Sequence, residues 1–318
     1  MKSIAVCVIN FNARDLLRDC LHSVLKEAPG EIIVVDNSSA DGSADMVRAE
    51  FPSARLICLS KNLGYGAAAN RAVGNCRTEF ILLLNSDTRL TPGSLQALCD
   101  YLDKIQTASV IGPRILNTDG TFQTSSFYFP TPVHIFLYLS GLYKIIHYVP
   151  ILRGRSLQTP SSGSAAVVPW VLGAAFAFRR EAFESVGGFD ESFFMYFEEV
   201  DLCFRLAKNG RQTHFAPVTE IMHVGGASTE QQRVEMNVQF FESLARFYRK
   251  HYPRIRLAEL VLIVRFFALF RLARDTIRLQ VTREKAKRAT LIINVEVCRR
   301  LLLGHWIGQP DPGGVLTV

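Results

Sequence analysis

Residues 31–43 read Glu-Ile-Ile-Val-Val-Asp-Asn-Ser-Ser-Ala-Asp-Gly-Ser. The apolar run from Ile32 to Val35 is typical of a strand that is covered on both faces of a sheet. The run ends on the carboxylate of Asp36, and the polar residues after it can cap a helix that begins near Ala44. This stretch therefore predicts a buried strand, a polar loop and a helix, which is the repeating unit of an α/β fold.

The same order recurs on both sides of this stretch. Apolar runs predict further strands, and helical spacing or small residues predict the helices between them; the strands are 4–9, 54–59 and 80–84, and the helices are 14–26 and 67–73. The pattern predicts an α/β fold with a doubly wound, mostly parallel sheet flanked by helices, which binds its ligand at the carboxyl ends of the strands. No GxGxxG follows the first strand and no GxxxxGK[ST] occurs, which argues against a dinucleotide site and a P-loop NTPase.

A second informative stretch is residues 194–205, Phe-Met-Tyr-Phe-Glu-Glu-Val-Asp-Leu-Cys-Phe-Arg. Three carboxylates fall within four residues, beside bulky apolar groups whose packing would oppose the ionised form. In a helix that begins at Glu198, Glu198 and Asp201 share a face and Glu199 points elsewhere. Two interpretations stay open: a base that takes a proton from a hydroxyl, or a helix start whose acids are favoured by the helix dipole.

Charge is distributed unevenly along the 318 residues. The net charge of +7 arises mainly after residue 240, where the chain is also apolar and helical in pattern. This composition favours an anionic membrane surface or phosphate-bearing partners, and nucleic acid is excluded because no reader motif occurs. Charges at Glu259, Arg265 and Arg271 make a helix that lies in the membrane interface a better fit than a spanning helix. A helix packed on the rest of the chain, or on a second subunit in an oligomer, is the alternative.

Three further features bear on location. The seven cysteines show no paired spacing, which is typical of reduced thiols, and the first strand begins too soon after Met1 for a secretory signal. We therefore expect a cytoplasmic protein that rests peripherally on the inner face of the plasma membrane. The aromatic segment 134–149 is interpreted as a lid, a membrane-facing insertion or packed structure.

Five motifs occur in the order seen in family 2 glycosyltransferases, and they resemble in particular the rhamnosyltransferase-like branch that builds bacterial surface polysaccharides. They are residues 6–12, 35–43, 62–70, 84–87 and 194–201. The resemblance covers roughly residues 3–230 and implies a GT-A fold and transfer of a sugar from a nucleotide-sugar with inversion. It implies a catalytic domain at 1–230, with a nucleotide-sugar half to about 115 and an acceptor half after it, followed by a helical, basic, amphipathic region at 231–318.

The resemblance also assigns residues to the donor site. Asp36 matches the acid that reads the nucleotide base, whereas Asp41 is favoured as a helix cap. The residues implied to bind the nucleotide are Asn10, Asp36, Ser38, Asn62, Gly64, Asn70 and Ser86. Residues 85–87 match the family's DxD-like position with Asn as the first residue, so Asp87 is implied to be the main protein ligand of Mg²⁺ or Mn²⁺. His223 matches a histidine that joins the metal or touches the diphosphate.

The family's base is usually the Asp of a Glu-Asp pair, and that position is Glu199 here. Glu198 and Asp201 are substitutes or orienting partners. Trp170 and Gly173 are assigned to the acceptor or sugar, with core packing as the alternative for Trp170. Arg205 meets a phosphate or pairs with Asp201.

The branch implies dTDP-L-rhamnose as donor, although UDP-sugars use the same scaffold. The implied acceptor is a glycan or a polyprenyl-diphosphate-linked glycan. Two alternatives stay open: a non-catalytic membrane scaffold, because Glu199 replaces the usual Asp, and a sugar-nucleotide nucleotidyltransferase. The latter fits less well, because residues 10–14 lack the glycines of a triphosphate loop.

Overall fold

The structure, a computed structural model, describes residues 3–144, 163–225 and 233–307. Its contacts divide the chain into two compact units. The α/β unit contains the described residues 3–130 and 163–225, and the helical unit contains 131–144 and 233–307. The sequence analysis assigned residues 131–144 to the acceptor half of the catalytic domain, whereas their contacts group them with the C-terminal helices.

The strands follow the apolar runs of the sequence. They are β1 (Ile4–Asn10), β2 (Glu31–Asp36), β3 (Arg55–Cys58), β4 (Phe80–Asn85), β5 (Thr88–Leu90), β6 (Ala108–Leu116), β7 (Phe122–Gln123), β8 (Ser126–Phe127), β9 (Ala166–Val168), β10 (Trp170–Val171), β11 (Ala175–Arg179) and β12 (Gln212–His223). The main sheet has the order β3-β2-β1-β4-β11-β6-β12-β5, with β7 beside β6 and β9 beside β12. Strands β8 and β10 form a separate pair.

The main sheet is mixed. The four strands β3-β2-β1-β4 are parallel, and β12 is parallel to β6. Strand β11 runs antiparallel between β4 and β6, and β5 pairs antiparallel with β12. The predicted α/β class is confirmed, and the parallel part is the N-terminal half that the alternating sequence pattern covers.

Ten helices are described. They are α1 (Arg14–Lys26), α2 (Ser43–Glu50), α3 (Tyr65–Val73), α4 (Ser94–Lys104), α5 (Pro132–Ser140), α6 (Arg180–Ser185), α7 (Glu198–Lys208), α8 (Arg233–His251), α9 (Arg254–Val281) and α10 (Lys285–Leu303). Short 3-10 turns follow α5 at Leu142–Lys144 and α10 at His305–Ile307.

The sheet is covered on both faces. Alternate residues of β1 enter different cores: Val6 and Val8 pack with α1, α2 and α4, whereas Cys7 and Ile9 pack with α3, α6 and α7. This two-sided burial explains why the strand is a continuous apolar run rather than an alternating one. It also leaves the strand ends as the place where polar side chains of the sheet emerge.

The helical unit is built from α5, α8, α9 and α10. Helix α5 begins at Thr131, whose hydroxyl accepts a hydrogen bond from His134 N, and Pro132 occupies its first turn. The rings of Phe136 and Phe267 pack edge to face at 5.5 Å, whereas Phe136 and Tyr138 are still 41% and 50% exposed. Helix α5 is thus packed on one side and exposed on the other, and residues 145–149 lie outside the described residues. Among the described helices, none combines the length and the apolar character needed to cross a bilayer.

Candidate active site

Three parallel strands end at the same edge of the sheet. The register pairs Asn10 of β1 with Asp36 of β2, and Ile9 of β1 with Asn85 of β4. Asn10 and Asp36 are buried, and Asn10 Nδ2 donates a hydrogen bond of 3.1 Å to Asp36 Oδ1. The backbone N–H of Ser39 donates to Asp36 Oδ2 at 3.0 Å. Asn10 Oδ1 is buried without a hydrogen-bond partner among the described residues, so this edge keeps an acceptor for a ligand donor.

The loops after β2 and β4 hold the two serines assigned to the nucleotide. Ser38 has a φ of 69°, a left-handed conformation that is uncommon for a residue with a side chain. Ser86 is buried in the turn between β4 and β5. Asp41 accepts hydrogen bonds from Ser43 N at 3.0 Å and Arg14 N at 2.8 Å. Asp41 therefore links the starts of α1 and α2, but it is not the helix cap that was favoured, because the N-cap of α2 is Gly42 and no side chain caps it.

The loop before α3 contacts the acid segment, residues 194–201. Gly64 has a φ of 84°, and a Cβ atom there would lie 2.1 Å from the carbonyl oxygen of Phe194. The same carbonyl accepts a hydrogen bond of 2.9 Å from Tyr65 N. Asn62 Oδ1 accepts from Gly64 N at 2.9 Å and from Asn37 Nδ2 at 2.8 Å. We expected the glycine to admit a ligand, but in the described contacts it admits the backbone of the acid segment.

Asn70 of α3 anchors the loop that leads into the acid segment. Its Nδ2 group donates to the carbonyl oxygen of Phe189 at 2.9 Å, and its Oδ1 atom accepts from Phe189 N at 2.9 Å. The carboxylate of Glu191 accepts from Asn70 Nδ2 at 3.1 Å and from Arg71 at 2.7 Å. These contacts give Asn70 a structural role, and the nucleotide contact stays a prediction.

Asp87 and His223 are brought together by strand pairing. Strand β12 runs antiparallel to β5 and sets His223 opposite Thr88, one residue after Asp87. His223 Nε2 lies 3.3 Å from Asp87 Oδ1, and both side chains are about one-tenth exposed. The backbone N–H of Gly225 donates to Asp87 Oδ2 at 3.1 Å. The two residues assigned to the metal are thus neighbours, although 136 residues separate them in sequence.

A chain of amides orients the His223 ring. Asn117 Nδ2 donates to Thr121 Oγ1 at 2.9 Å, and Asn117 Oδ1 accepts from Gln123 Nε2 at 3.2 Å. Gln123 Oε1 is thereby turned toward His223 Nδ1, 2.8 Å away. Since an amide oxygen only accepts, Nδ1 carries the proton, and in the neutral imidazole Nε2 presents its lone pair to Asp87.

Backbone strain precedes the three acids of α7. Tyr196 and Phe197 have φ angles of 65° and 69°, and α7 begins at the next residue, Glu198. Consecutive left-handed residues with bulky side chains cost about 1–3 kcal/mol each and persist where surrounding contacts impose them. The strained turn orients the start of α7, so that the first two acids enter a buried environment.

The carboxyls of Glu198 and Glu199 do not have a full set of hydrogen bonds to offset their burial. Oε2 of each carboxyl is buried with no hydrogen-bond partner within the described ranges. Burial raises the pKa of Glu199 to about 7, against hydrogen bonds from backbone groups that include Gly173. Burial, followed by the charge of Glu199, raises the pKa of Glu198 well above its ordinary value. A carboxyl with a pKa near 7 is matched to accepting a proton at neutral pH.

Asp201 differs from the other two acids because it is neutralised. It is fully buried, and Arg205 Nε donates to its Oδ2 at 2.7 Å. The two terminal nitrogens of the Arg205 guanidinium donate to the carbonyl oxygens of Val186 and Gly188. The pairing alternative for Arg205 is therefore the one observed. Asp201 is occupied as a structural ion pair, which removes it from the candidates for the base.

Gly173 lies beside the candidate base, whereas Trp170 is part of the packing between strands. A Cβ atom on Gly173 would lie 3.6 Å from Glu199 Oε1, so this glycine borders the candidate base. The hydroxyl of Tyr65 donates to the Gly173 carbonyl at 3.2 Å. Trp170 stacks on Phe127 with ring centroids 4.5 Å apart, and its indole N–H donates to a backbone carbonyl at 2.9 Å. Trp170 thus follows the packing alternative.

Sequence reasoning missed three residues of this site. Asn37 follows Asp36 directly and could have been noticed for its position at a strand end. Tyr65 lay within a quoted motif but received no role. Gln123 lies where the sequence pattern loosens, and no local signal marks it, because its role depends on β7 pairing with β6 beside β12.

Comparison with known proteins identifies the family to which this chain belongs. The model of glycosyl transferase family 2 matches residues 5–187, more than half of the chain, and the chain belongs to that family. The match ends before α7, so the assignment of the acids there depends on the geometry described above.

Similar proteins include rhamnosyltransferases. An N-acetylglucosaminyl-diphospho-decaprenol L-rhamnosyltransferase of Mycobacterium tuberculosis is 31% identical over 225 residues, covering 65% of this chain and 70% of that protein. The dTDP-rhamnosyl transferase RfbF of Shigella flexneri is 25% identical over 250 residues, covering 78% and 77%.

Solved structures confirm the GT-A fold. The mannosyltransferase PcManGT of Pyrobaculum calidifontis, in complex with GDP-Man and Mn²⁺, matches with a TM-score of 0.54 at 15% identity, over 96% of this chain and 88% of that chain. GalNAc-T7 with UDP, GalNAc and Mn²⁺ matches with a TM-score of 0.54 at 15% identity, over 77% of this chain. This chain spans about half of the GalNAc-T7 chain, 48%.

Proposed function

We propose that this glycosyltransferase transfers L-rhamnose from dTDP-L-rhamnose, with inversion, and that Glu199 is its base. The observation that carries the proposal is the Glu199 carboxyl, whose Oε2 atom is buried without a hydrogen-bond partner among the described residues and whose pKa burial raises to about 7. A buried carboxyl oxygen without a hydrogen bond is costly unless it is used. A non-catalytic scaffold would have no need of it, and membership of a sugar-transferring family sets the nucleotidyltransferase alternative aside.

The proposed reaction is a single displacement. Glu199 takes the proton of the acceptor hydroxyl, and that oxygen forms a bond to the anomeric carbon of the donor. The bond from the anomeric carbon to the diphosphate oxygen breaks, and its electron pair leaves with the nucleoside diphosphate. The entering oxygen attacks opposite the leaving group, so the anomeric configuration inverts.

Asp87 and His223 fit a divalent cation. Asp87 Oδ1 and His223 Nε2 face each other at 3.3 Å, so that a proton on Nε2 or a cation can bridge the two atoms. The Asp87 carboxylate is an oxygen donor that suits Mg²⁺ and Mn²⁺ alike, and His223 is the nitrogen donor beside it. The described residues contain no cluster of three His, Cys, Asp or Glu side chains at metal-binding distances, so the donor diphosphate is expected to complete the ligand set. Asp87 and His223 would hold the cation, which would supply neutralisation of the charge on the leaving diphosphate.

The donor and acceptor classes come from the relatives. Two of them are named as rhamnosyltransferases, one for a dTDP-rhamnosyl donor and one for a diphospho-decaprenol acceptor. We extend these classes to this chain: a dTDP-sugar donor, with UDP-sugars as the alternative, and a glycan on a polyprenyl diphosphate as acceptor. Such an acceptor would place the enzyme on the inner face of the plasma membrane.

A binding assay tests the donor and the metal. We expect dTDP and dTDP-L-rhamnose to raise the melting temperature only when Mn²⁺ or Mg²⁺ is present, because a ligand bound by the native state stabilises it. Asp87→Asn should abolish the metal-dependent rise, whereas Asp45→Asn, an exposed acid of α2, should retain it. A shift with UDP-sugars alone would replace the donor, and no shift with any nucleotide would contradict the proposal. NMR of the product anomer tests inversion, and retention would overturn the single displacement.

A further inference from the structure

Helix α9 exposes one long apolar face. Its 28 residues span about 42 Å at 1.5 Å per residue. Seven large apolar side chains on it are 59–76% exposed, and together they define the α9 apolar face: Ile255, Leu262, Phe266, Leu269, Phe270, Ile277 and Val281. At about 100° per residue they fall within about 120° of the helix circumference. Polar residues within this arc are Glu259 and Gln280. Single exposed apolar residues are ordinary, but seven large ones on one side of a helix are not.

The opposite side of α9 already has its partners. Leu260, Val264 and Ala268 are buried, and the helix packs against α5, α8 and α10 of its own unit. The exposed face is therefore a second apolar face, beyond the one that holds the unit together. Among residues 131–144 and 233–307 of the helical unit, no helix packs over this face, so it is not needed to hold these helices together.

Basic residues border the α9 apolar face on both sides. By helical position, Arg256, Arg274 and Arg278 follow one edge, and Arg254 and Arg265 follow the other. The two acids of the helix are already used: Glu259 pairs with Arg256 at 3.0 Å, and the buried Asp275 pairs with Arg274 at 2.7 Å. Beyond the helix, 283–288 adds four basic residues and one acid, Glu284, which pairs with Lys287 at 2.7 Å. An apolar stripe between cationic edges is complementary to a membrane with anionic lipids.

We propose that the α9 apolar face docks the helical unit onto an anionic lipid bilayer, with α9 lying in the plane of the interface. The apolar side chains enter the acyl boundary, and the arginines extend along their stems to the lipid phosphates. Six arginines along α9 are compatible with an in-plane helix and costly for a spanning one. Pairing with the same face of a second copy would bring like charges together. The choice of lipid rests in part on the proposed function, because a polyprenyl-linked acceptor is held in a membrane.

A cavity beside this face adds to the argument. It has a volume of about 400 Å³ and lies between α5 and α9, with Tyr138, Tyr143, Phe267, Phe270, Arg271 and Arg274 in its lining. Arg271 makes no ion pair with any residue in the described part of the chain, so its charge is open to an anion. Aromatic rings beside arginines are the composition found where headgroups meet acyl chains. Phe270 belongs to both the cavity and the apolar face, so a lipid phosphate held there would be continuous with the docked surface.

Vesicle co-sedimentation of the full chain tests the proposal. We expect binding to vesicles of phosphatidylcholine with phosphatidylglycerol, weak binding to phosphatidylcholine alone, and loss of the difference at high salt. The double variant Leu262→Gln, Phe266→Gln should weaken binding by at least about tenfold, because two large apolar side chains no longer enter the acyl boundary. Arg265→Gln should weaken it by about fivefold, and only on anionic vesicles. Both variants alter exposed positions, so their folding is expected to be retained.

The matched control is Leu25→Gln, the same change at an exposed leucine of α1 in the α/β unit; it should bind as the wild type does. Equal sedimentation of the double variant and the wild type would overturn the proposal. So would a dimer in light scattering that the double variant converts to a monomer, because a second copy would then cover the face.

Nucleotide-dependent thermal shifts of the same variants separate membrane docking from the proposed sugar transfer: the double variant should keep the shift. Docking without any nucleotide shift would leave this inference standing while the proposed function fails.

Discussion

The start of α7 and the α9 apolar face are opposite exceptions to the rule that charged groups face water and apolar groups are buried. At α7, two carboxyls are buried with oxygens that no described residue satisfies. At α9, seven large apolar side chains are left in water. Both arrangements lower the stability of the isolated chain, and each becomes favourable once a particular partner arrives: a proton or hydroxyl for the carboxyls, a lipid surface for the apolar face. The comparison shows that unsatisfied groups of either kind can mark function.

The largest effect is expected at Glu199. Glu199→Gln keeps the shape of the side chain but removes the proton acceptor, so kcat should fall by about 10²–10⁴-fold while metal-dependent donor binding is retained. In the wild type, kcat/KM should rise as pH rises through about 7, because the carboxyl must lose its proton before it can act as base.

Steady-state rates across pH, with Glu181→Gln on the exposed surface of α6 as the control, check both expectations. If Glu199→Gln retains near-full activity, Glu198 becomes the remaining candidate, since Asp201 is committed to Arg205. In that case Glu198, rather than Glu199, would be the buried carboxyl of α7 that acts as the base.

A smaller effect is expected from the amide that orients His223. Gln123→Leu removes the acceptor of the Nδ1 proton and frees the ring, so Mn²⁺ affinity in the presence of dTDP should fall by about 10–100-fold. Gln123→Glu keeps an oxygen that can accept the Nδ1 proton but loses the N–H that donates to Asn117, so its affinity should exceed that of Gln123→Leu. Calorimetric titration of the metal measures both variants. Unchanged affinity in Gln123→Leu would show that strand pairing alone holds the imidazole.

The smallest effect is a gain in stability from Glu198→Gln. The folded state raises the pKa of Glu198 above its ordinary value of 4.5. As pH rises past that value, the unfolded chain releases the proton while the folded chain still binds it, so the wild type loses stability with rising pH. The glutamine variant avoids this loss, and its melting temperature should exceed that of the wild type by a few degrees at neutral pH and by less near pH 4.5.

Thermal melts of Glu198→Gln at a series of pH values test this, with Glu181→Gln as the exposed control. A variant less stable than the wild type at neutral pH would mean that the buried carboxyl is satisfied after all. The α9 variants offer the parallel measurement, since replacing exposed apolar groups should leave the melting temperature unchanged while vesicle binding falls.

The α/β class could be predicted from sequence because its signals are local. A strand buried on both faces must be apolar at successive positions, as Ile4–Ile9 and Ile32–Val35 are. The family followed from ordered motifs, and the comparisons confirm it. The acid segment was recognised because three carboxylates stand together in sequence.

Other features depended on contacts that a local pattern does not record. Gly64 was expected to admit a ligand, but the described atom that forbids its side chain is the carbonyl of Phe194, 130 positions away. Residues 131–144 were placed in the catalytic domain because they lie within its sequence span, yet their packing partners are C-terminal helices.

The sequence by itself determined the alternation of strands and helices, the family motifs, and the basic, apolar character of the last helices. Only the tertiary structure distinguished the three acids of α7, because their roles depend on burial and on partners from elsewhere in the chain. Asp201 meets Arg205 and is neutralised, whereas Glu198 and Glu199 keep unpartnered oxygens. Likewise, the apolar residues of α9 look alike in sequence. Packing alone decides which of them face α5, α8 and α10 and which remain free for a membrane, because burial is a property of neighbours rather than of the residue.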